Sequence, residues 1–303
     1  MASSLEEILD IVYLTMVSVL TLVCLIGNSF TCFIFTTKSF RRVSMFFYLS
    51  IGTVVNILLM LTVWPISALK DLFKIHSNLF SCKFFAYLHF FLSEISPWMI
   101  TLGSLDRLIS VKYFRRFQFR NKLKYQIGIV LTIVISIAIL NLPALLYLTI
   151  GLIRANQTRC GLEIHNLYIG QYLIIKTDFI SLFIPFALML ISTITIGQYM
   201  IANKKKISIN RTKFQKELQY VKTVVCMDFF FFITNVPTIF VGIIQLITYL
   251  TGGYPPLMND IWFRLISDTI FLSYLASDFF VYFACNKLFR KYFKTMIQFK
   301  KMK

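Results

Sequence analysis

The stretch SLDRLISVKY places an acid beside a base, Asp106 and Arg107, at the end of a long apolar run. A helix from Cys82 to Arg107 would rise about 37 Å, which is enough to cross a membrane. Glu217 lies 20 residues before Pro237, on a segment that runs the other way, at a depth that we expect to match that of Arg107. Because an arginine between two carboxylates forms strong charge-assisted hydrogen bonds, these residues predict an ionic clasp. The alternative is a solvated Asp106 and Arg107 pair that reaches into lipid headgroups.

Seven apolar segments must position these residues. Hydrophobic residues make up 57% of the 303 residues and charged residues only 15%, whereas about a quarter of a soluble domain is charged. Each segment reaches the roughly 20 residues that a membrane-spanning helix needs. The composition therefore predicts an all-α membrane protein, a seven-transmembrane helix bundle that forms a single domain over residues 1–303. The expected spans are 9–36, 44–69, 84–105, 127–150, 172–201, 223–249 and 262–285.

The formal net charge of +18 is concentrated in alternate loops. Basic residues follow the first, third, fifth and seventh spans, whereas the first ten residues contain three acids and no cation. The positive-inside rule then places the N-terminus outside the cell and the C-terminus in the cytoplasm. We interpret the charge as membrane topology combined with attraction to anionic lipid, and we expect no nucleic-acid partner.

Two of the six cysteines, Cys82 and Cys160, lie on the predicted outer side, and the other four lie inside spans. Because the outer compartment is oxidising, we predict a disulfide between Cys82 and Cys160; the alternative is two unpaired thiols. Asn156 begins an Asn-Gln-Thr glycosylation acceptor in the same loop. A second such triplet begins at Asn210, on the predicted cytoplasmic side, so the triplet alone is a weak signal.

Several spaced motifs extend along nearly the whole chain. Asn28 in LIGNSF is followed 28 residues later by Asn56, and Cys82 precedes Arg107 by 25 residues. In this spacing the sequence resembles the rhodopsin-like (class A) G-protein-coupled receptors. The remaining matches are Pro185 and Pro237, at the family's helix-kinking prolines, DFFVY at 278–282, which resembles Asn-Pro-x-x-Tyr, and NKLFRKYF at 286–293, which resembles the short eighth helix.

The sequence also departs from this family. Leu108 replaces the Tyr of Asp-Arg-Tyr, Phe279 replaces the seventh-helix Pro, and Asn235 replaces the Trp of the sixth-helix Cys-Trp-x-Pro. These departures affect the expected movement of the sixth and seventh helices more than they affect the expected fold. They indicate a divergent branch of orphan or chemosensory type.

The resemblance implies a plasma-membrane receptor that binds an extracellular ligand and activates a heterotrimeric G protein by opening the cytoplasmic side of the bundle. In that interpretation Asp106, Arg107 and Glu217 form the resting clasp, and Tyr282 swings toward Arg107 on activation. Residues 286–303 would form a short amphipathic eighth helix and a cytoplasmic tail.

Polar residues inside the spans are functional candidates, because burying them in lipid is costly. Asn56 and Asp278 exchange the acid and the amide that the family usually has in its second and seventh helices, which would keep one carboxylate facing one amide. With Asn28 and Ser96 nearby in the family arrangement, they would hold water or a sodium ion. The alternative is a water-satisfied packing network without an ion.

The family arrangement places five polar side chains in a ligand pocket: His89, Glu94, Asp178, Asn235 and Asp268. His89 stands where aminergic receptors have an Asp, which disfavours a biogenic amine, and Leu272 stands where opsins have their Lys, which excludes a retinal photoreceptor. The carboxylates would suit a cationic group such as the Arg of a short peptide. In the alternative, Lys176 neutralises Asp178, and Glu94 bonds to neighbouring backbone.

A multi-span transporter or channel is the alternative function. Such proteins commonly contain structural repeats, discontinuous helices and relays of membrane charges, whereas the acids here are scattered. We expect no enzyme activity and no cofactor, because the three histidines are far apart and no Gly-rich phosphate loop or GxSxG motif occurs.

Overall fold

Eight helices form the framework of the computed structural model, which describes residues 2–62, 65, 78–112, 122–154, 157–162, 172–173, 175–202, 211–250 and 261–298. A π-helical segment, Lys176–Phe183, leads directly into the fifth helix. One-turn and two-turn helices at Lys38–Arg41 and Leu142–Tyr147 lie between longer ones. The main helices are α1 (Ala2–Phe35), α2 (Ser44–Thr62), α3 (Leu79–Lys112), α4 (Leu123–Leu140), α5 (Ile184–Ala202), α6 (Arg211–Leu250), α7 (Ile261–Cys285) and α8 (Lys287–Ile297).

Within the described residues, six helical segments are long and apolar enough to cross a membrane, and each overlaps one of the predicted spans. The remaining predicted span, 84–105, lies in α3, which carries buried polar and charged side chains. α3 packs against α2, α4, α5 and α6, so protein rather than lipid surrounds much of its surface. The expected all-α bundle of seven helices is confirmed, with α3 at its centre.

One region differs from the expected helices. Residues 148–150, predicted as the end of the fourth span, instead begin strand β1 (Leu148–Arg154), which pairs antiparallel with β2 (Gln157–Leu162). A continuous apolar run favours a helix, but β-branched residues in a short run between turns also suit a strand. The bundle therefore carries a hairpin between α4 and α5.

Prolines lie in α5 and α6 where bends are expected. Pro237 is inside α6, and Pro185 is the second residue of α5, directly after the π-helical segment. A proline in a helix removes one backbone donor and crowds the preceding turn. Pro97, which the sequence interpretation did not consider, lies inside α3 in the same way.

The short helix α8 is amphipathic, as expected. Asn286 caps its N-terminus, because the side-chain Oδ1 accepts from the backbone N–H groups of Leu288 and Phe289 at 3.0 and 3.1 Å. Phe289 is fully buried, and the ring centroid of Phe293 lies 5.4 Å from that of Phe30 in α1. The apolar face of α8 is thus packed on the bundle, and its basic residues lie on the more exposed side.

Candidate functional site

The C-terminal part of α3 buries both charges of the Asp106 and Arg107 pair. Arg107 Nη2 donates to Asp106 Oδ2 at 3.2 Å and to Ser110 Oγ at 2.9 Å. Asp106 Oδ1 accepts from Ser44 Oγ of α2 at 2.6 Å. Each of the two charged side chains is 4% exposed, so they do not form a solvated surface pair. We refer to this end of the bundle as the Arg107 end.

Helix α6 reaches Arg107 through an aromatic ring. The guanidinium Cζ lies 5.5 Å from the ring centroid of Tyr220, within the range of a cation–π interaction. Tyr220 follows Glu217 by three residues, close to one helical turn. The backbone of Glu217 belongs to α6, but its side chain lies outside the described residues, so the clasp between Glu217 and Arg107 stays a prediction.

Tyr282 of α7 lies in an aromatic cluster and is almost fully buried. Its ring centroid is 5.0 Å from that of Phe35 in α1 and 5.7 Å from that of Phe289 in α8. The ring therefore packs toward α1 and α8. A swing of Tyr282 toward Arg107 would require a second conformation and stays a prediction.

A polar network joins α1 and α2 to α7 in the middle of the bundle. Asn56 Nδ2 donates to Asp278 Oδ2 at 2.9 Å, so an amide and a carboxylate face each other between α2 and α7. Asn28 Nδ2 donates to the backbone carbonyl of Leu275 at 3.1 Å. All three polar side chains are buried.

Oxygen atoms predominate around this network. The Oδ1 atoms of Asn28 and Asn56 are buried and accept no hydrogen bond within the described residues. The Ser96 and Tyr274 hydroxyls lie 3.2 Å apart. Carbonyl, carboxylate and hydroxyl oxygens are the ligands that hard cations prefer, so the chemistry of this set fits a sodium ion as well as water.

Glu94 of α3 is held in an ion pair. Lys176 Nζ, from the π-helical segment, donates to Glu94 Oε1 and, at 2.6 Å, to Asn141 Oδ1. Asn141 Nδ2 in turn donates to Glu94 Oε2 at 2.9 Å. Both charged side chains are 1% exposed. Glu94 is therefore partnered by Lys176 rather than by neighbouring backbone, and we refer to Glu94, Asn141 and Lys176 as the lysine cluster.

The other predicted pocket residues lie on α3, α6, α7 and the π-helical segment. Asp268 Oδ2 of α7 accepts from the Tyr13 hydroxyl of α1 at 3.2 Å. Asn235 is buried, and its Nδ2 donates at 2.8 Å to the carbonyl of Phe231 in its own helix. His89 is partly buried on α3. Asp178 is in the π-helical segment, and its side chain lies outside the described residues.

Cys82, which is buried near the start of α3, is bonded in a disulfide. Cys160 is in β2, but its side chain lies outside the described residues, so its pairing with Cys82 stays a prediction. Asn156 also lies outside the described residues, and its glycosylation stays a prediction. The free cysteines in the described part of the chain are Cys24, Cys32, Cys226 and Cys285.

The sequence interpretation missed Asp228 of α6, whose carboxylate bonds to α3 and α5. The signal was present, because an acid within an apolar span is a functional candidate by default. It also missed Tyr220, whose aromatic ring looks like ordinary packing in a sequence rich in Phe and Tyr. The pairing of Lys176 with Glu94 had no sequence signal, since the two residues are 82 positions apart.

One comparison with known proteins gives a match. The family model described as 7 transmembrane receptor (rhodopsin family) matches residues 27–285, a range that begins in α1 and ends at the last residue of α7. It includes the Arg107 end, the polar network and the lysine cluster. No curated protein matches the chain.

Proposed function

The chain belongs to the rhodopsin family of seven-transmembrane receptors, and from this premise we propose that it binds an extracellular ligand at the plasma membrane and activates a heterotrimeric G protein. The observation that carries the proposal is the buried Arg107, which contacts the Tyr220 ring of α6. Burying a cation is costly unless other groups satisfy it. An arginine held in this way at a helix contact suits a gate that can open.

The Arg107 end is the cytoplasmic end in this proposal, and the N-terminus is extracellular. The positive-inside rule supports that orientation, because the segments following α1, α3 and α5 at this end are rich in Lys and Arg. Helix α8 adds four cations at the same end: Lys287, Arg290, Lys291 and Lys294.

Coupling proceeds through a movement of α6 away from α3. In the closed arrangement Arg107 is engaged by Asp106, Ser110 and the ring of Tyr220, and the proposed clasp with Glu217 adds an ionic contact. Movement of α6 removes Tyr220 and opens a cavity for a G-protein helix, with Arg107 as its floor. A ligand drives this change only by its higher affinity for the open state.

The ligand we propose is a short peptide with a cationic group, bound at the end of the bundle opposite Arg107. Glu94 is neutralised by Lys176, which leaves Asp268 as the carboxylate best suited to the cation among the described pocket residues. Asp268 accepts a hydrogen bond from the neutral Tyr13 hydroxyl. The proposed Cys82 to Cys160 disulfide would tie the hairpin to α3 above this pocket, with a glycan at Asn156.

We also propose a sodium ion in the polar network. Asp278 would supply the charge, and the side-chain carbonyls of Asn28 and Asn56 would supply neutral oxygens, with Ser96 nearby. Sodium would favour the closed arrangement by holding α1, α2 and α7 together. A sodium-dependent rise in melting temperature that is absent in Asp278→Asn supports the ion, and an equal rise with potassium contradicts it.

The central test is nucleotide exchange on a G protein in membranes that contain the chain. A library of short peptides and small organic molecules is screened in cells that express a promiscuous G protein. Arg107→Ala should abolish agonist-dependent exchange while surface expression falls much less, because Arg107 is the proposed floor of the G-protein cavity. Lys291→Ala, which removes an exposed cation at the same end, is the matched control and should leave exchange unchanged.

Two results would overturn the receptor proposal. One is full exchange in Arg107→Ala at matched expression. The other is substrate accumulation or ionic current in vesicles without any G protein, which would favour a transporter or channel. For the ligand, Asp268→Asn should weaken an Arg-containing peptide agonist at least tenfold in potency, roughly the loss of one charge-assisted contact, and peptides without a cation should be unaffected.

A further inference from the structure

Helix α6 contains a buried acid that the proposed coupling mechanism does not use. Asp228 lies within the membrane-spanning segment Leu218–Pro237 and is 8% exposed. A carboxylate in such a position is costly unless other groups satisfy its oxygens. The contacts of Asp228 therefore indicate what the acid holds in place.

Each carboxylate oxygen of Asp228 accepts a hydrogen bond from a different helix. Ser104 Oγ of α3 donates to Oδ1 at 2.7 Å, and Thr193 Oγ1 of α5 donates to Oδ2 at 2.8 Å. Helices α3 and α5 are also joined directly, because Ser192 Oγ donates to the backbone carbonyl of Ser104 at 2.8 Å. We refer to Ser104, Thr193 and Asp228 as the carboxylate clamp.

The clamp lies between the proline of α6 and the contact of α6 with Arg107. Asp228 precedes Pro237 by nine residues and follows Tyr220 by eight, which are distances of roughly 13 and 12 Å along the helix. Ser104 precedes Arg107 by three residues, about one turn. A swing of the Arg107 end of α6 about Pro237 therefore displaces Asp228 as well as Tyr220.

Hydrogen bonds at these distances tolerate little displacement. A separation beyond about 3.5 Å no longer counts as a hydrogen bond, so a shift of roughly 1 Å at Asp228 breaks the bond to Ser104. In a low-dielectric interior, a carboxylate that loses its donors is destabilised until water replaces them. The clamp therefore favours the closed arrangement.

We infer that Asp228 is a positioning residue that holds α6 against α3 and α5, and that α6 cannot open until Asp228 leaves Ser104. The inference rests on the proposed function only where it assigns this opening to G-protein coupling. Asp228 acts through Arg107, because the release of Asp228 from Ser104 allows Tyr220 to move off the guanidinium group of Arg107. Water that enters from the Arg107 end then satisfies the carboxylate.

The first test removes one donor at a time and measures ligand-free nucleotide exchange per receptor at the cell surface. Ser104→Ala and Thr193→Val each delete one hydroxyl and should raise basal exchange on the order of tenfold. The matched controls, Ser136→Ala and Thr132→Val, delete exposed hydroxyls of α4 that donate to backbone carbonyls of the same helix. The controls should leave basal exchange unchanged.

Substitutions of Asp228 itself separate positioning from simple loss of structure. Asp228→Leu removes both acceptors and should raise basal exchange more than either hydroxyl deletion. Asp228→Asn keeps one side-chain oxygen as an acceptor and should give an intermediate rise. A residue with a merely structural role would lower surface expression without raising exchange per surface receptor, and that result in all the clamp variants would overturn the inference.

A distance measurement without any G protein distinguishes failure of the clamp from failure of the proposed function. Spin labels at Leu123→Cys in α4 and Leu218→Cys in α6, both exposed positions at the Arg107 end, report the opening of α6 in lipid nanodiscs. The background replaces three partly exposed free cysteines with alanine: Cys32, Cys226 and Cys285.

Asp228→Leu should shift the label distances toward a longer population. Longer distances without nucleotide exchange in any variant would support the clamp and contradict the G-protein proposal. Unchanged distances, together with unchanged basal exchange in Ser104→Ala and Thr193→Val, would overturn the clamp.

Discussion

Two of the buried acids that join helices across the bundle, Glu94 and Asp228, are satisfied in different ways. Glu94 meets a lysine and an amide, so the lysine cluster contains both a negative and a positive charge. The bonds that Asp228 accepts within the described residues come from two neutral hydroxyls. The first cluster lies on the ligand side of the proposed receptor, and the second lies one turn from Arg107.

Because of this difference, we expect the contact of Glu94 with Lys176 to persist when helices move, and the contacts of Asp228 to break. Pulling Lys176 away from Glu94 would leave two uncompensated charges in the bundle, which costs several kcal/mol. Pulling Asp228 away from its hydroxyl donors leaves one carboxylate that water can satisfy, and the hydroxyls can turn back to carbonyls of their own helices, as serine and threonine commonly do. The lysine cluster is therefore suited to helices that stay together, and the carboxylate clamp is suited to a helix, α6, that moves.

The largest expected effect is on the lysine cluster. Lys176→Met leaves the buried Glu94 carboxylate without its cation and should lower the free energy of unfolding by about 3 kcal/mol. The loss is measured as a lower thermal stability of the purified protein in nanodiscs. Adding Glu94→Gln should recover much of the loss, because the stranded charge is removed. Lys83→Met is the matched control, since Lys83 is bonded at the surface to a backbone carbonyl, and a comparable loss there would contradict a special role for the cluster.

A smaller effect is expected where α6 contacts Arg107. Tyr220→Leu removes the ring beneath the guanidinium group, a contact worth about 1 kcal/mol, and should raise ligand-free nucleotide exchange roughly fivefold. Tyr220→Phe keeps the ring face and should behave like the parent protein. Equal effects of Leu and Phe would show that the hydroxyl, rather than the ring, matters at this contact.

The smallest effect is expected at Glu217. Glu217→Gln removes the proposed ionic contact with Arg107 and should raise basal signalling roughly twofold to threefold, since an ion pair near a helix end is worth about 0.5 kcal/mol. High salt should reduce the difference between the two proteins. No change at matched surface expression would count against the clasp and would leave Tyr220 as the contact between Arg107 and α6.

Most of the fold was predictable because the membrane restricts the choices. A lipid environment permits few structures other than apolar helices of sufficient length. Apolar runs such as 44–69 and 262–285 therefore predict membrane-spanning helices directly. The hairpin was not predictable in this way, since its first strand, Leu148–Arg154, continues an apolar run without a break. The span 84–105 in the central helix α3 was predicted from its apolar length, although Glu94 lies within it.

The candidate site was predictable only in part. The contact between Asn56 and Asp278 agrees in geometry with the exchanged acid and amide that the family comparison implied. The partner of Glu94 was not predictable, because the sequence offered Lys176 only as an alternative partner of Asp178, two residues away on the same segment. Within a π-helical segment the side chains turn differently from those of an α-helix, and the structure directs Lys176 to α3.

The sequence alone determined how many helices cross the membrane and which ends carry the basic loops, since both follow from the chemistry of single segments against lipid and water. Only the tertiary structure decided which acid meets a lysine and which meets hydroxyls. Such pairs depend on the rotation and depth of one helix relative to another, and no local property of either helix records them.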